Sequence, residues 1–200
     1  DALVDSPIKL VLTRHEQGAV HMADGYARSS GKTGVVLVTS GPGATNTITG
    51  ILTAYMDSVP MVIICGQQLT SNLGMDAFQE ADISGISFPV VKHSYLIKDP
   101  RDIPRIMREA FFLANSGRPG PVLIDVPKNV SSAHFDPNLT EELHLPGYKI
   151  PKEGNRAAIE TAVTLLERAE RPVIIAGHGA VISGAEKPLL CEAVTAHHVH

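Results

Sequence analysis

Apolar residues in this chain fall in short unbroken runs rather than in strict alternation. The clearest are Val35–Val38, Met61–Cys65, Val122–Val126 and Val173–Ala176, with weaker runs at Leu10–Leu12 and Tyr95–Ile97. Unbroken Val/Ile/Leu runs mark parallel strands covered by helices on both faces. Between them lie stretches with helical spacing: Gln17–Arg28, Ala44–Met56, Ile103–Ala114, Arg156–Ala169 and Ala185–Ala196. Strand and helix alternating at this spacing predict an α/β fold built on a doubly wound parallel sheet.

The periodicity lapses between Ser131 and Gly154, where Asp136-Pro137-Asn138, Pro146-Gly147 and Pro151-Lys152 punctuate the chain. Such clusters mark a linker. The expected organisation is one domain over residues 1–130, a linker over 131–154, and the start of a second α/β domain over 155–200. Asn155 is placed to cap the helix that opens this last part. The chain begins Asp1-Ala2-Leu3 and stops at His197-His198-Val199-His200, and it reads as a fragment of a longer protein.

With 44% hydrophobic and 19% charged residues and a net charge of −4, the composition is that of an ordinary globular chain. There is no basic excess to attract nucleic acid, and no apolar run reaches the roughly 18 residues of a membrane span. Cys65 and Cys191 form no disulfide framework, which fits a reducing compartment. His197, His198 and His200 have no carboxylate or Cys partner at ligand spacing, so no metal site is expected in this chain.

Two strand-to-helix turns concentrate the candidate chemistry. Thr13-Arg14-His15-Glu16 follows the first weak run, and Ser40-Gly41-Pro42-Gly43-Ala44-Thr45-Asn46 follows Val35–Val38. In open α/β sheets, ligands bind beyond the carboxyl ends of strands. Thr13-x-x-Glu16 reads either as a helix capping box or as a functional carboxylate, and the second reading calls for a desolvated Glu16 with a raised pKa. Gly41-x-Gly43-x-x-Asn46 lacks the third glycine of a dinucleotide fingerprint and the Gly-Lys-Ser/Thr of a P-loop. Its plainer reading is a tight turn that lets backbone approach a ligand or a helix. Ala19, Ala23 and Ala27 share one helix face, suited to close packing within the domain or across a subunit interface.

Several blocks together resemble the pyrimidine-binding domain of thiamine-diphosphate enzymes: Arg14-His15-Glu16-Gln17-Gly18-Ala19, Ala23-Asp24-Gly25-Tyr26-Ala27-Arg28 and the Thr39–Asn46 turn. Gly74-Met75-Asp76-Ala77-Phe78-Gln79-Glu80 and Ser116-Gly117-Arg118-Pro119-Gly120-Pro121 narrow the resemblance to the flavin-containing acetohydroxyacid (acetolactate) synthase catalytic subunit, over essentially the whole chain. The resemblance implies thiamine-diphosphate-dependent decarboxylation of pyruvate and carboligation to a second 2-ketoacid, in branched-chain amino acid biosynthesis. It assigns Glu16 to the pyrimidine ring nitrogen of the cofactor, with Gly41, Pro42, Gly43 and Asn46 around it. Gln79 is implied as catalytic, and Phe78, Gln79 and Lys128 as lining the substrate pocket. Arg118, with Gly177 and Gly179, is implied to contact a structural FAD.

Mg²⁺ is expected to be bound by a domain outside this chain, and the isolated chain is expected to be inactive. A homodimer or higher oligomer through this domain, packed on the small-residue helix face, and a small regulatory subunit are the implied partners. The location is the cytoplasm for a bacterial protein, and mitochondrion or plastid for a eukaryotic one. Met75 and Leu69 depart from the common Thr/Ser and Pro of the family pattern, which bears on inhibitor sensitivity. A related 2-ketoacid or acyl-CoA decarboxylase, or a non-catalytic module, are the alternative readings.

Overall fold

The computed structural model describes residues 3, 5–137, 139–140, 142–151, 153–185 and 187–188. The chain divides into two compact units, Asp1–Ile150 and Pro151–His200. The first contains α1 (Glu16–Ser30), β1 (Gly34–Val38), α2 (Pro42–Thr45), α3 (Ile48–Met56), β2 (Met61–Gln67), α4 (Ile83–Ser87), β3 (His93–Leu96), α5 (Ile103–Asn115), β4 (Pro121–Pro127) and α6 (Lys128–Ser131). Its four strands form one parallel sheet in the order β1-β2-β4-β3. In register, Cys65 of β2 and Leu96 of β3 both lie beside Asp125 of β4.

Each face of the sheet carries its own core. Alternate β2 residues Met61, Ile63 and Cys65 join Val20, Ala23 and Ala27 of α1 and Ile51 and Ala54 of α3. Val62 of β2 and Val122 and Ile124 of β4 instead join Ile106, Ala110 and Leu113 of α5. Burying one such Val, Leu or Ile side chain contributes about 1.5–3 kcal/mol. The two central strands are therefore buried on both sides, as their unbroken apolar runs imply. Edge strand β1 differs, because its Val35 and Leu37 are about half exposed.

Local chemistry sets the helix limits. His15, in extended conformation, caps α1 by accepting the Gln17 N–H on Nδ1 at 3.1 Å. The Thr13 hydroxyl donates to the His15 carbonyl, and Glu16 is the first helical residue rather than the third. The capping box allowed by Thr13-x-x-Glu16 is thus not formed. Gly31, at φ 68°, ends the helix by donating its N–H to the Ala27 carbonyl. The single helix expected over Ala44–Met56 is broken into α2 and α3. Pro42 starts the first piece, and the Thr47 N–H and hydroxyl both go to the Ala44 carbonyl, interrupting the i→i−4 ladder.

The small-residue face of α1 lies inside the domain. Ala23 and Ala27 are buried in the α1–sheet core with Ala19 packed against it, so this face serves packing within the domain.

Two expected strands are not formed among the described residues. Residues 10–12 pair with no strand of the described sheet, and Leu10, Val11 and Leu12 are 62%, 56% and 92% exposed. In the second unit, α7 (Arg156–Arg168) is capped by Asn155, which accepts the Ala158 N–H on its side chain at 3.0 Å. Residues 173–176 then run without a ladder, and Ile175 is 91% exposed. Among the described residues this unit has no other strand to satisfy their backbone groups. α8 (His178–Ile182) follows. The helix expected over Ala185–Ala196 lies for the most part outside the described residues, as do Cys191 and the three terminal histidines.

Candidate functional site

The turn after β1 and the start of α1 meet at the carboxyl edge of the sheet. The Asn46 side-chain amide donates to Glu16 Oε2 at 3.1 Å. That bond, with the Glu16 backbone N–H, holds the Glu16 carboxyl below the usual carboxylate range. This is opposite to the raised value that desolvation would produce: the carboxylate is only partly buried, so the amide dipoles outweigh burial. In the isolated chain Glu16 is an ionised acceptor.

The intervening turn needs two residues without a Cβ. Gly41 adopts φ 59°, and a Cβ there would lie 2.7 Å from the Gln79 carbonyl oxygen. At Gly43 a Cβ would lie 2.7 Å from Thr39 Cγ2 and 3.4 Å from Glu16 Oε1. The turn is therefore wedged between the 74–81 loop on one side and the Glu16 carboxylate on the other. Pro42, exposed, opens α2 over it.

The 74–81 loop is internally braced. Glu80 accepts the N–H groups of Gly74 and Ala77, which lowers its carboxyl pKa. Asp76 and Gln79 both adopt positive φ, 53° and 57°, uncommon for side-chain-bearing residues. Phe78 stands 84% exposed and Gln79 is exposed. Lys128 opens α6 beyond the end of β4, also exposed. Asn129 beside it exchanges hydrogen bonds with Thr70, at 2.9 and 3.0 Å.

The structure thus brings Glu16, Gly41, Gly43, Asn46 and the Gln79 backbone together, with Phe78 and Lys128 on the same sheet edge. Arg118 is elsewhere. It precedes β4, at the amino edge, and donates to Ser58 Oγ (2.8 Å) and to the Tyr55 and Met56 carbonyls (3.2 and 3.0 Å). Its guanidinium lies 5.8 Å from the Tyr55 ring centroid. Gly177 and Gly179 belong to the second unit. Gly177 precedes α8, and a Cβ at either glycine would meet nothing within 4 Å.

Sequence reasoning passed over a buried polar pair beneath this edge. Asp125, 3% exposed in β4, accepts the Gln67 amide on Oδ2 at 3.0 Å, while Oδ1 has no hydrogen-bond partner among the described residues. Burial pushes the Asp125 carboxyl up to about 6, against the lowering contribution of Gln67. The signal was an acidic residue inside an otherwise apolar run, a costly placement in a strand interior.

Among the described residues, no helix is long and apolar enough to cross a membrane, and no group of three or more His, Cys, Asp or Glu could hold a metal ion.

Residues 1–86 match the N-terminal TPP-binding domain of thiamine pyrophosphate enzymes. The chain is 56% identical over 180 residues to an acetolactate synthase of Arthrospira platensis, covering 89% of this chain and 31% of the relative. It is 53% identical over 181 residues to the acetolactate synthase isozyme 3 large subunit of Escherichia coli, covering 90% and 32%. A probable acetolactate synthase large subunit of Methanocaldococcus jannaschii is 50% identical over 193 residues, covering 95% and 33%. The chain spans about a third of the length of these relatives. The parallel α/β fold, the match of residues 1–86 and this identity together make the chain a homologue of acetolactate synthase large subunits over about a third of their length.

Proposed function

We propose that this chain supplies the pyrimidine-binding side of a thiamine-diphosphate site, in an enzyme that decarboxylates pyruvate and joins the two-carbon unit to a second 2-ketoacid. The observation that carries this reading is the Glu16 carboxylate, ionised and aimed by Asn46 beside the Gly41–Gly43 turn. Thiamine diphosphate supplies the electron sink for such a decarboxylation and transfer, and the protein supplies position and electrostatics.

Each residue then has a task. Glu16 holds a proton at the pyrimidine ring nitrogen. Covering its carboxylate with a heteroaromatic ring strips water from it and works against the lowering by Asn46, so proton exchange becomes easier. Asn46 fixes the carboxylate's orientation. Gly41, Pro42 and Gly43 keep the turn thin enough for a flat ring to approach. Phe78, Gln79 and Lys128 line the substrate side, with Gln79 acting on the reacting ketoacid.

The fit does not extend to every group that the resemblance implies. Arg118 is engaged by the end of α3, and a Cβ at Gly177 or Gly179 would meet nothing within 4 Å, so these residues form no flavin cradle, while Mg²⁺ is assigned to a domain outside this chain. We assign residues 1–130 as the cofactor-binding domain, 131–154 as linker and 155–200 as the beginning of a second domain. An oligomer through the first domain is supported by exposed Met22 and Tyr26 on α1 and Leu52 and Met56 on α3. A small-subunit partner is supported by relatives named as large subunits.

The test is Glu16→Gln in the full-length enzyme. Acetolactate formation is expected to lose at least about 10²-fold in kcat, the scale of general acid–base catalysis. An unchanged kcat overturns the role of Glu16, and acetaldehyde or no product from pyruvate in the wild type overturns the carboligase reading.

A further inference from the structure

The carboxyl group of Asp125 is out of place by ordinary core chemistry. β4 reads Pro-Val-Leu-Ile-Asp-Val-Pro, so Asp125 is the one polar side chain in an otherwise apolar strand. Among the described residues the buried carboxyl gains one hydrogen bond, from Gln67, and its second oxygen has no partner. An apolar side chain would serve packing better.

What the carboxylate achieves is the orientation of Gln67. With Asp125 accepting one N–H, Gln67 Nε2 is also directed at the Ala81 carbonyl, at 2.9 Å. Gln67 Oε1 is then turned to accept the Gln68 N–H at 2.9 Å. Gln68 in turn donates its side-chain amide to the Phe78 carbonyl at 2.6 Å. Two links therefore run from the end of β2 to the loop, one on each side of Gln79. Between them, the Gln79 backbone is pressed against Gly41, in a left-handed conformation that a free loop would abandon.

We propose that Asp125 and Gln67 are positioning residues that pin the segment bearing Phe78 and Gln79 against the Gly41 turn and so shape the substrate side of the site. Neither touches substrate: Asp125 acts through Gln67, and Gln67 through the Ala81 carbonyl and Gln68. The catalytic consequence rests on the reading of Phe78 and Gln79 as pocket residues; the anchoring itself does not.

The experiment uses the full-length enzyme with Asp125→Ala, Asp125→Asn and Gln67→Met. Asn keeps a carbonyl acceptor for Gln67, whereas Ala removes it and Met removes all three hydrogen bonds of the Gln67 amide. Hydrogen exchange at the Glu80 and Ile83 amides is expected to quicken at least about 10-fold in the Ala and Met variants and to stay near wild type in Asp125→Asn, with the amides of α1 and α5 unchanged. For pyruvate, kcat/KM is expected to fall at least about 10-fold in the same two variants, the scale of a small misplacement of contacting groups. Half-saturation by thiamine diphosphate should stay within about twofold. Exchange that quickens equally everywhere, or a cofactor affinity that falls with kcat/KM, shows general loosening and overturns the proposal. So does an unchanged loop. Quickened loop exchange in an enzyme whose wild type makes no acetolactate upholds the anchor and rejects only the functional reading.

Discussion

Asn46 holds Glu16 from thirty residues away, its amide 3.1 Å from the carboxylate, and so ties the first turn of α1 to the α2–α3 junction. The bond sets the charge of the carboxylate as well as its direction, because an amide donor favours the ionised form. Asn46→Ala is expected to raise the Glu16 pKa toward its ordinary value. The change is readable by carbon NMR titration of the Glu16 carboxyl. A pKa that stays below the ordinary range would mean the Glu16 backbone N–H and the neighbouring His15 account for the lowering.

Gly41→Ala combines a forbidden φ with a Cβ 2.7 Å from the Gln79 carbonyl oxygen. It is expected to cost about 1–3 kcal/mol of stability, measured by urea unfolding. Gly18→Ala is the contrast. Gly18 sits inside α1 with ordinary φ and open space at its Cβ, so the variant should gain about 0.5–1 kcal/mol. Equal effects at the two glycines would rule out the close approach at Gly41.

Asp125 predicts a pH dependence of stability. Its folded pKa is about 6 against an ordinary 3.8, a gap worth about 3 kcal/mol. Below about pH 3 the group is protonated in folded and unfolded chains alike, and no penalty arises. As pH rises from about 3 to 6 the unfolded chain ionises first, so the folded state loses stability, and the full cost stands above pH 6. Asp125→Asn removes this loss. Its stability relative to wild type should therefore increase by about 2 kcal/mol between pH 4 and pH 7 in urea titrations, and a flat difference would show that burial does not perturb the carboxyl.

Arg118→Lys should destabilise by about 1 kcal/mol although it keeps the charge, since an ammonium cannot reproduce the planar fork over Ser58 and the two carbonyls ending α3. Thermal unfolding checks it. A lysine variant as stable as wild type would mean that only the positive charge at the helix end matters.

How far the sequence was legible depended on whether a feature was local. The runs at Met61–Cys65 and Val122–Val126 read as doubly covered strands because both faces are apolar, and they are β2 and β4. Leu10–Leu12 and Val173–Ala176 are as apolar, but pairing is a property of neighbours, and neither has one among the described residues. The break at Thr47 was hidden because a hydroxyl competing for the Ala44 carbonyl leaves no trace in periodicity. In the site, the Gly41–Asn46 turn was readable from its glycines and from family resemblance. The link from Asn46 to Glu16 was not, since it joins two turns that only the folded sheet brings together. Gln67 and Asp125 were masked by their apolar neighbours, and their meaning emerged only from the hydrogen bonds they make.

The opposite placement of Glu16 and Arg118 has a consequence for engineering. β4 is seven residues long, so about 20 Å of strand separates the two edges of the sheet. Changes at the Arg118 edge and at the Glu16 edge share no contact residue and should combine additively in free energy. The amino edge can thus be re-surfaced for stability while the carboxyl edge is varied for chemistry, each without correcting for the other.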